Sequence, residues 1–320
     1  MPTLHRINWI DSARGLCMTA ILYDHTEIYY ANENIIPYEM YVINALTAFF
    51  FISGFLFWKG KPFQIKNKMT SIFRSLVIPY FIFTTAMAVP KAMVHGENIE
   101  ITNIIKQILS GNASWFIAAL IIAELFFACI LYLGKEKTSI TITCSVILFF
   151  IGLSFNKTNL SIPWNAHIAS LSVFFIASGY VYHRFNHLLV QYVNGVTMAL
   201  AFAALCVCKW MECQYDLKMM MFGLQIDNTF IFLIDSLLFI FPFIYIVQRL
   251  PQIKLILYIG RHSMVYYFLC GGIPLLTGKM FNAVSLTYSS NHLLLLPVFV
   301  CVLVISTIAT RIICKFVKTV

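Results

Sequence analysis

A chain of 320 residues in which 60% are hydrophobic, 16% aromatic and only 11% charged is too apolar for a water-soluble globule, and an integral membrane protein is expected. Its formal net charge of +9 does not point to nucleic acid, because polytopic membrane proteins retain an excess of Lys and Arg on their cytoplasmic side. The nine cysteines form no CxxC pair and no Cys/His ligand spacing; six of them (Cys17, Cys129, Cys144, Cys206, Cys270 and Cys301) lie in apolar stretches and read as inert buried thiols, so no metal is expected.

A spanning helix needs about 20 largely apolar residues, and charged or Pro/Gly-rich clusters mark its ends. By that rule the chain is all-α, a polytopic protein with ten spans near 7–30, 40–58, 75–94, 114–133, 140–155, 166–185, 195–211, 228–247, 255–277 and 292–314. The fifth and seventh are short. Asp11 and Arg14 interrupt the first apolar run and no small-residue cleavage site follows it, so it reads as an uncleaved span rather than a signal peptide. Between the third and fourth spans, "ENIEITNIIKQIL" (Glu97 to Leu109) repeats its isoleucines and leucine at helical spacing with charges between them, the pattern of a helix lying in the interface. Stretches between spans stay within about 20 residues, which predicts a single transmembrane domain over 1–320, without an appended soluble domain.

With both termini in the cytoplasm, 14 basic residues fall inside: Arg6, Lys59, Lys61, Lys66, Lys68, Arg74, Lys135, Lys137, Arg184, Arg249, Lys254, Arg311, Lys315 and Lys318. Six fall outside: Lys91, Lys106, Lys157, Lys209, Lys218 and Lys279. Of the acids in loops only Glu136 is inside, whereas Glu33, Glu39, Glu97, Glu100, Glu212, Asp216 and Asp227 are outside. The asymmetry predicts both termini on the cytoplasmic side of a cell inner or plasma membrane.

Seven charges remain within or at the ends of spans: Asp11, Arg14, Asp24, Glu27, Glu124, Asp235 and Arg261. Each costs about 2.5–3.5 kcal/mol at a helix centre, so each is expected to pair or to work. Arg14 and His25 are eleven residues apart, which brings them to within about 20° of one direction and roughly 16 Å apart along a helix. Asp11 joins that stripe; Asp24 points away from it. His25 is either an interfacial histidine bonded to a neighbouring helix or a general base, imidazole being the side chain that exchanges protons near neutral pH. Arg14 either pairs with Asp11 or binds an anion entering from the cytoplasm. Glu124 is either protonated or paired to a residue such as Arg14, and Asp235 poses the same choice. His167, beside Trp164, is an interfacial histidine or a glycan contact.

The stretch "RINWIDSARGLCMTAILYDH" resembles the opening helix of the acyltransferase 3 family of membrane O-acyltransferases, whose signature is a basic residue, ten intervening residues and a histidine. "FFFISGFLFW" (Phe49 to Trp58) resembles its Phe-x-x-Ser-Gly-Phe element, "FRSLVIPYFIF" its Arg-Leu-x-x-Pro-Tyr element, "ASWFIAAL" its Trp-Phe-x-x-Ala-Leu element and "YIGRHSMVYYFL" its Gly-x-x-Ser-Leu-x-x-Tyr element. They occur in family order along nearly the whole chain.

The resemblance implies transfer of an acyl group, acetyl above all, from cytoplasmic acetyl-CoA or another acyl-CoA to a hydroxyl of a cell-envelope glycan or glycolipid, without a metal. It carries over Arg14 and His25 as the functional pair and Arg74 as the second arginine of an Arg-x-x-Arg motif near the donor. The first arginine of that motif is Ser71 here, with Lys68 one turn earlier as a stand-in, and Cys270 stands where relatives have a histidine. In that chemistry His25 would take the hydroxyl proton, with Asn44 at its depth as an orienting amide. Arg14, Lys68, Arg74 and Arg261 would meet the phosphate-bearing end of CoA. Ser53, Ser178 and Ser263 are candidate nucleophiles if an acyl-enzyme forms, and Asp11, Asp24 and Glu124 are secondary candidates. The competing classes are a multi-helix transporter or flippase, which predicts inverted repeats that the chain does not display, and an inactive relative that scaffolds an envelope machine.

Overall fold

The computed structural model describes residues 7–96, 99–158, 160, 162–289 and 291–316. Arg6, Glu97 and Lys318, counted above for orientation, lie outside them. In chain order the α-helices are α1 Asn8–Thr26, α2 Tyr38–Phe55, α3 Ile65–Ile72, α4 Ile78–His95, α5 Ile101–Leu109, α6 Trp115–Leu133, α7 Thr138–Leu153, α8 Ala166–Arg184, α9 Asn186–Leu189 and α10 Gly195–Gln214. A small antiparallel hairpin follows, β1 Met219–Met220 with β2 Gln225–Ile226. The chain ends with α11 Thr229–Val247, α12 Lys254–Arg261, α13 Ser263–Leu269, α14 Ile273–Ala283 and α15 Leu295–Phe316.

Helices occupy every segment expected to span. Among the described residues six are long and apolar enough to cross a bilayer, or seven if the bent pair α13 and α14 is one span. The ten-span count therefore exceeds what helix length and composition support. α7 has only 16 residues, and the expected span at 255–277 is broken into three helices, with 48° between α13 and α14. Polar Arg14, Asp24 and His25 keep α1 outside the count although it is continuous. Along α15, Leu296, Val300, Val304, Ile308 and Ile312 recur every four residues and are 48–66% exposed, a stripe suited to lipid and to little else.

Two π-helical turns interrupt the regular winding. Phe73–Val77 lies just before Pro79, which has no N–H to return to the Ser75 carbonyl, so the ladder widens there and joins α3 to α4 in one 31-residue run. Glu27–Ala31 follows α1 directly and stops at Asn32, which adopts the left-handed conformation (φ 59°).

Chain contacts divide the described residues into two compact units, with the boundary passing through α2, α4 and the end of α11. The first comprises residues 1–45, 85–100 and 246–320. In it α1 crosses α12 at backbone contact: a Cβ on Gly15 would lie 2.1 Å from the Ile256 carbonyl oxygen, and one on Gly260 only 1.7 Å from that of Asp11. Small residues allow such an approach, and dispersion across it drives helix association in lipid. Gly260→Ala is expected to force the helices apart and cost about 1–3 kcal/mol, read as a lower unfolding midpoint in detergent. An unchanged midpoint would mean that the two helices do not meet there.

The second unit comprises residues 46–84 and 101–245. Its core holds Phe50, Phe51, Tyr80, Phe127, Phe175, Tyr180 and Phe232, all under 2% exposed. Gly54 and Gly179 repeat the close crossing, facing the carbonyls of Ile176 and Phe51. The Asn156 amide clamps the hairpin by accepting from Ile226 N–H (2.9 Å) and donating to Ile226 O (2.7 Å). α5 exposes Ile101, Ile105 and Leu109 along one side, the face expected of an interfacial helix.

Candidate active site

The first unit holds Asp11, Arg14, Asp24, His25, Asn44, Arg261 and Ser263; Ser53, Lys68, Arg74 and Glu124 belong to the second. Because α1 runs unbroken from Asn8 to Thr26, Arg14 and His25 do lie three turns apart on one side of one helix. Both are half-buried.

Around Arg14 the crossing of α1 and α12 sets the geometry. Asp11 is 3% exposed and its Oδ2 accepts from Arg261 Nε at 3.2 Å, so a carboxylate and a guanidinium from different helices are joined where the backbones touch. Arg261 is thereby fixed by a carboxylate, with its side chain still 41% exposed.

Around His25 three rings stack and abut. Its imidazole lies nearly parallel to Tyr29 (13°, centroids 5.9 Å apart), and Tyr29 meets His95 edge-on at 5.5 Å. His95 Nε2 is 3.1 Å from the carbonyl oxygen of Gly271. That contact has a physical cause: the break between α13 and α14 leaves carbonyls without helical partners, and at membrane depth these must be satisfied by the protein. Nδ1 of His25 is buried and has no hydrogen-bond partner among the described residues. Asn44, fully buried in α2, thus does not orient that nitrogen. Asp24 accepts instead from Asn34 Nδ2 at 3.1 Å, away from the imidazole as the helical spacing required. Glu27 accepts from the Ile36 amide and the Tyr41 hydroxyl.

In the second unit Glu124 finds partners that the sequence did not disclose. Lys68 Nζ lies 2.8 Å from its Oε2, and the Ser53 hydroxyl donates to its Oε1. Lys68 also sits over the Phe57 ring, 3.6 Å from the centroid. Glu124 is therefore paired to Lys68. Arg74 is exposed on the π-turn before Pro79. Ser178 spends its hydroxyl on the Phe174 carbonyl, 2.9 Å away, as helical serines do. Ser263 opens α13 half-buried.

Asp235 is likewise paired within the protein. Lys209 Nζ lies 2.9 Å from its Oδ2 and 3.0 Å from Glu212 Oε2, and all three residues are under 9% exposed. Counting Lys209 and Glu212 as loop charges was wrong, because α10 continues to Gln214 and buries both. Beyond the helices, a cleft of about 280 Å³ is lined by Lys157, Thr158, Lys218, Gly223, Gln225 and Asp227. There the Lys157 ammonium and the Lys218 amide hold the Asp227 carboxyl below the usual carboxylate range. His167, 8% exposed, packs near the Phe155 ring, and its Nδ1 is buried without a partner among the described residues.

The residues that sequence reasoning missed are Tyr29, stacked on His25, and His95, which abuts Tyr29.

A chain that is almost wholly helical, with exposed apolar stripes along helices long enough to cross a bilayer, is a multi-pass membrane protein. The family model described as "Acyltransferase domain" matches residues 7–311, and the chain belongs to this acyltransferase 3 family of membrane acyltransferases. Neither a curated protein nor a solved structure matches it.

Proposed function

We propose that the protein transfers an acyl group, acetyl in the first instance, from acyl-CoA on the cytoplasmic side to a hydroxyl of a cell-envelope glycan or glycolipid, and that it does so as a multi-pass protein of the inner or plasma membrane with both termini inside. The observation that carries this reading is the family's Arg-x10-His pair on a continuous helix, with the imidazole half-buried against Tyr29 and its Nδ1 committed to no other group among the described residues. A histidine serving only structure would spend its buried nitrogen on a protein acceptor.

In this reading His25 removes the acceptor proton as the hydroxyl attacks the thioester carbonyl. Arg14, at the opposite end of the stripe, faces the donor and binds its anionic part. Arg74, exposed and paired to no carboxylate among the described residues, suits a CoA phosphate by forked hydrogen bonds. Lys68 and Arg261 already hold carboxylates, so their first task is to balance Glu124 and Asp11 and their contribution to donor binding is secondary. Ser53 points its hydroxyl at Glu124 and supports that carboxylate in preference to acting as a nucleophile.

The test is transfer from labelled acetyl-CoA in membranes, followed by mass spectrometry of envelope glycans with and without the protein. Label in the glycan fraction and a lost acyl increment on deletion are expected; solute uptake without either would favour a carrier. A further expectation concerns Arg74→Ala, which should raise the apparent KM for acyl-CoA by about tenfold, the loss of one charge-assisted bond of about 1.4 kcal/mol, while the acceptor KM stays put. Unchanged donor dependence would remove Arg74 from the donor site.

A further inference from the structure

The short connection from α6 to α7 begins and ends on an apolar groove. On α6, Phe126, Cys129, Ile130 and Leu133 share one helical face, and on α7, Ile140, Cys144 and Leu148 recur every four residues. With Gly134, these two faces line a groove of about 340 Å³. Ile140 to Leu148 covers about 12 Å of helix, most of the roughly 15 Å of hydrocarbon in one leaflet. The same two helices present Leu133, Ile147 and Phe150 outward, all more than half exposed, as side chains that face lipid are.

Charge is concentrated where the two walls join. Lys135 and Glu136 adopt the left-handed conformation (φ 49° and 56°). Their turn is closed by bonds from the Glu136 amide to the Leu131 carbonyl and from the Lys137 amide to the Gly134 carbonyl, each 3.0 Å. Glu136 is held by the protein: its Oε1 accepts from the Phe63 amide at 2.8 Å and its carbonyl from Arg184 Nη1 at 2.6 Å. Lys135 and Lys137 are exposed and form no ion pair among the described residues. Two ammonium groups thus stand at the end of an apolar groove, on the side expected to face the cytoplasm.

From this arrangement we infer that the groove holds an acyl chain of an anionic phospholipid, with Lys135 and Lys137 on its headgroup phosphate. The site shares no residue with the acyl-transfer reading above and does not depend on it. Water does not drive such a groove shut, because lipid tails are as apolar as its walls. Its lining gains dispersion energy only when a chain fills it. A chain alone would not select one lipid over another; the two lysines do, since basic groups at the membrane surface attract anionic headgroups. The length of α7 adds to this. Its 16 residues span about 24 Å, short of the roughly 30 Å hydrocarbon core, and a headgroup bound at its start anchors the end that would otherwise be drawn into hydrocarbon.

The test is native mass spectrometry of the full-length protein released from detergent, titrated with phosphatidylglycerol and with phosphatidylcholine of the same chains. Wild type should hold one phosphatidylglycerol at least about tenfold more tightly than phosphatidylcholine. Lys135→Gln with Lys137→Gln should weaken phosphatidylglycerol about 25-fold, about fivefold for each lysine, and leave phosphatidylcholine within about twofold. Cys144→Phe, which puts a ring in the groove, should weaken both lipids at least about fivefold. If it does not fold, Leu148→Phe is held to the same criterion. As a control, Lys254→Gln with Lys315→Gln removes two exposed lysines of the other unit and should move neither lipid by more than about twofold. Equal wild-type affinity for the two lipids overturns the inference, as does phosphatidylglycerol binding that survives loss of Lys135 and Lys137. An equal loss in the control variant overturns it too, because it would trace binding to the net charge of +9 and not to this loop. Binding indifferent to the groove-filling ring removes the chain from the groove and has the same force. No arm measures acyl transfer, so failure here and failure of the transfer reading are distinct.

Discussion

Replacing His25 by alanine should lower acyl transfer by about 10³-fold, or about 4 kcal/mol of transition-state stabilisation, the scale on which a general base acts. The side chain is half-buried and its Nδ1 makes no hydrogen bond within the described residues, so its removal breaks no internal network. The helix that carries it is anchored elsewhere, by the Gly15 and Gly260 crossing and by the Asp11–Arg261 pair. Acetyl-CoA binding and thermal unfolding are therefore expected to change little while turnover collapses. His25→Gln keeps much of the shape and a hydrogen-bonding end but cannot accept a proton at neutral pH, and it should be as inactive as alanine. Binding measured by calorimetry, with transfer measured from labelled acetyl-CoA, separates the two quantities. Full transfer by either variant would end the base assignment.

The features of this site that were legible in the sequence are those fixed within one helix. The Arg14 to His25 stripe and the divergence of Asp24 follow from 100° per residue, and both hold in the structure because α1 is unbroken. The family membership was legible for a similar reason, since its motifs are local strings in a fixed order. Pairings between helices were not legible. Nothing in the spacing of Lys68 and Glu124, or of Asp11 and Arg261, says that they meet, because such contacts depend on crossings made possible by particular glycines. Breaks within an apolar run were not legible either. An apolar run such as 255–277 reads as one helix, whereas His262 and the Cys270–Gly272 turn, followed by Pro274, break it in two places. Burial of Lys209 and Glu212 was missed because hydropathy assigns a charge to water unless a partner is visible, and Asp235 comes from the next helix.

Lys68→Met should destabilise the protein by about 3–5 kcal/mol, the cost of leaving a buried charge without its partner. Glu124 is only 8% exposed, and the Lys68 ammonium and the Ser53 hydroxyl are the partners that offset its desolvation. Glu124→Gln alone should cost much less, because Lys68 keeps its cation–π contact with Phe57 and its side chain, 18% exposed, has a route by which the ammonium can reach water. Combining the two substitutions removes both charges and leaves a neutral amide that still accepts from Ser53. The double variant should therefore be more stable than Lys68→Met, and this reversal of sign is what a buried pair predicts and a donor-binding lysine does not. If Lys68 instead serves chiefly to bind acyl-CoA, the single variant will unfold near the wild-type midpoint, and the donor KM will rise equally in the single and double variants. Unfolding midpoints in detergent, set beside donor KM values, decide between the two. The expected outcome makes Lys68 the cation that allows a carboxylate to be kept in the middle of α6.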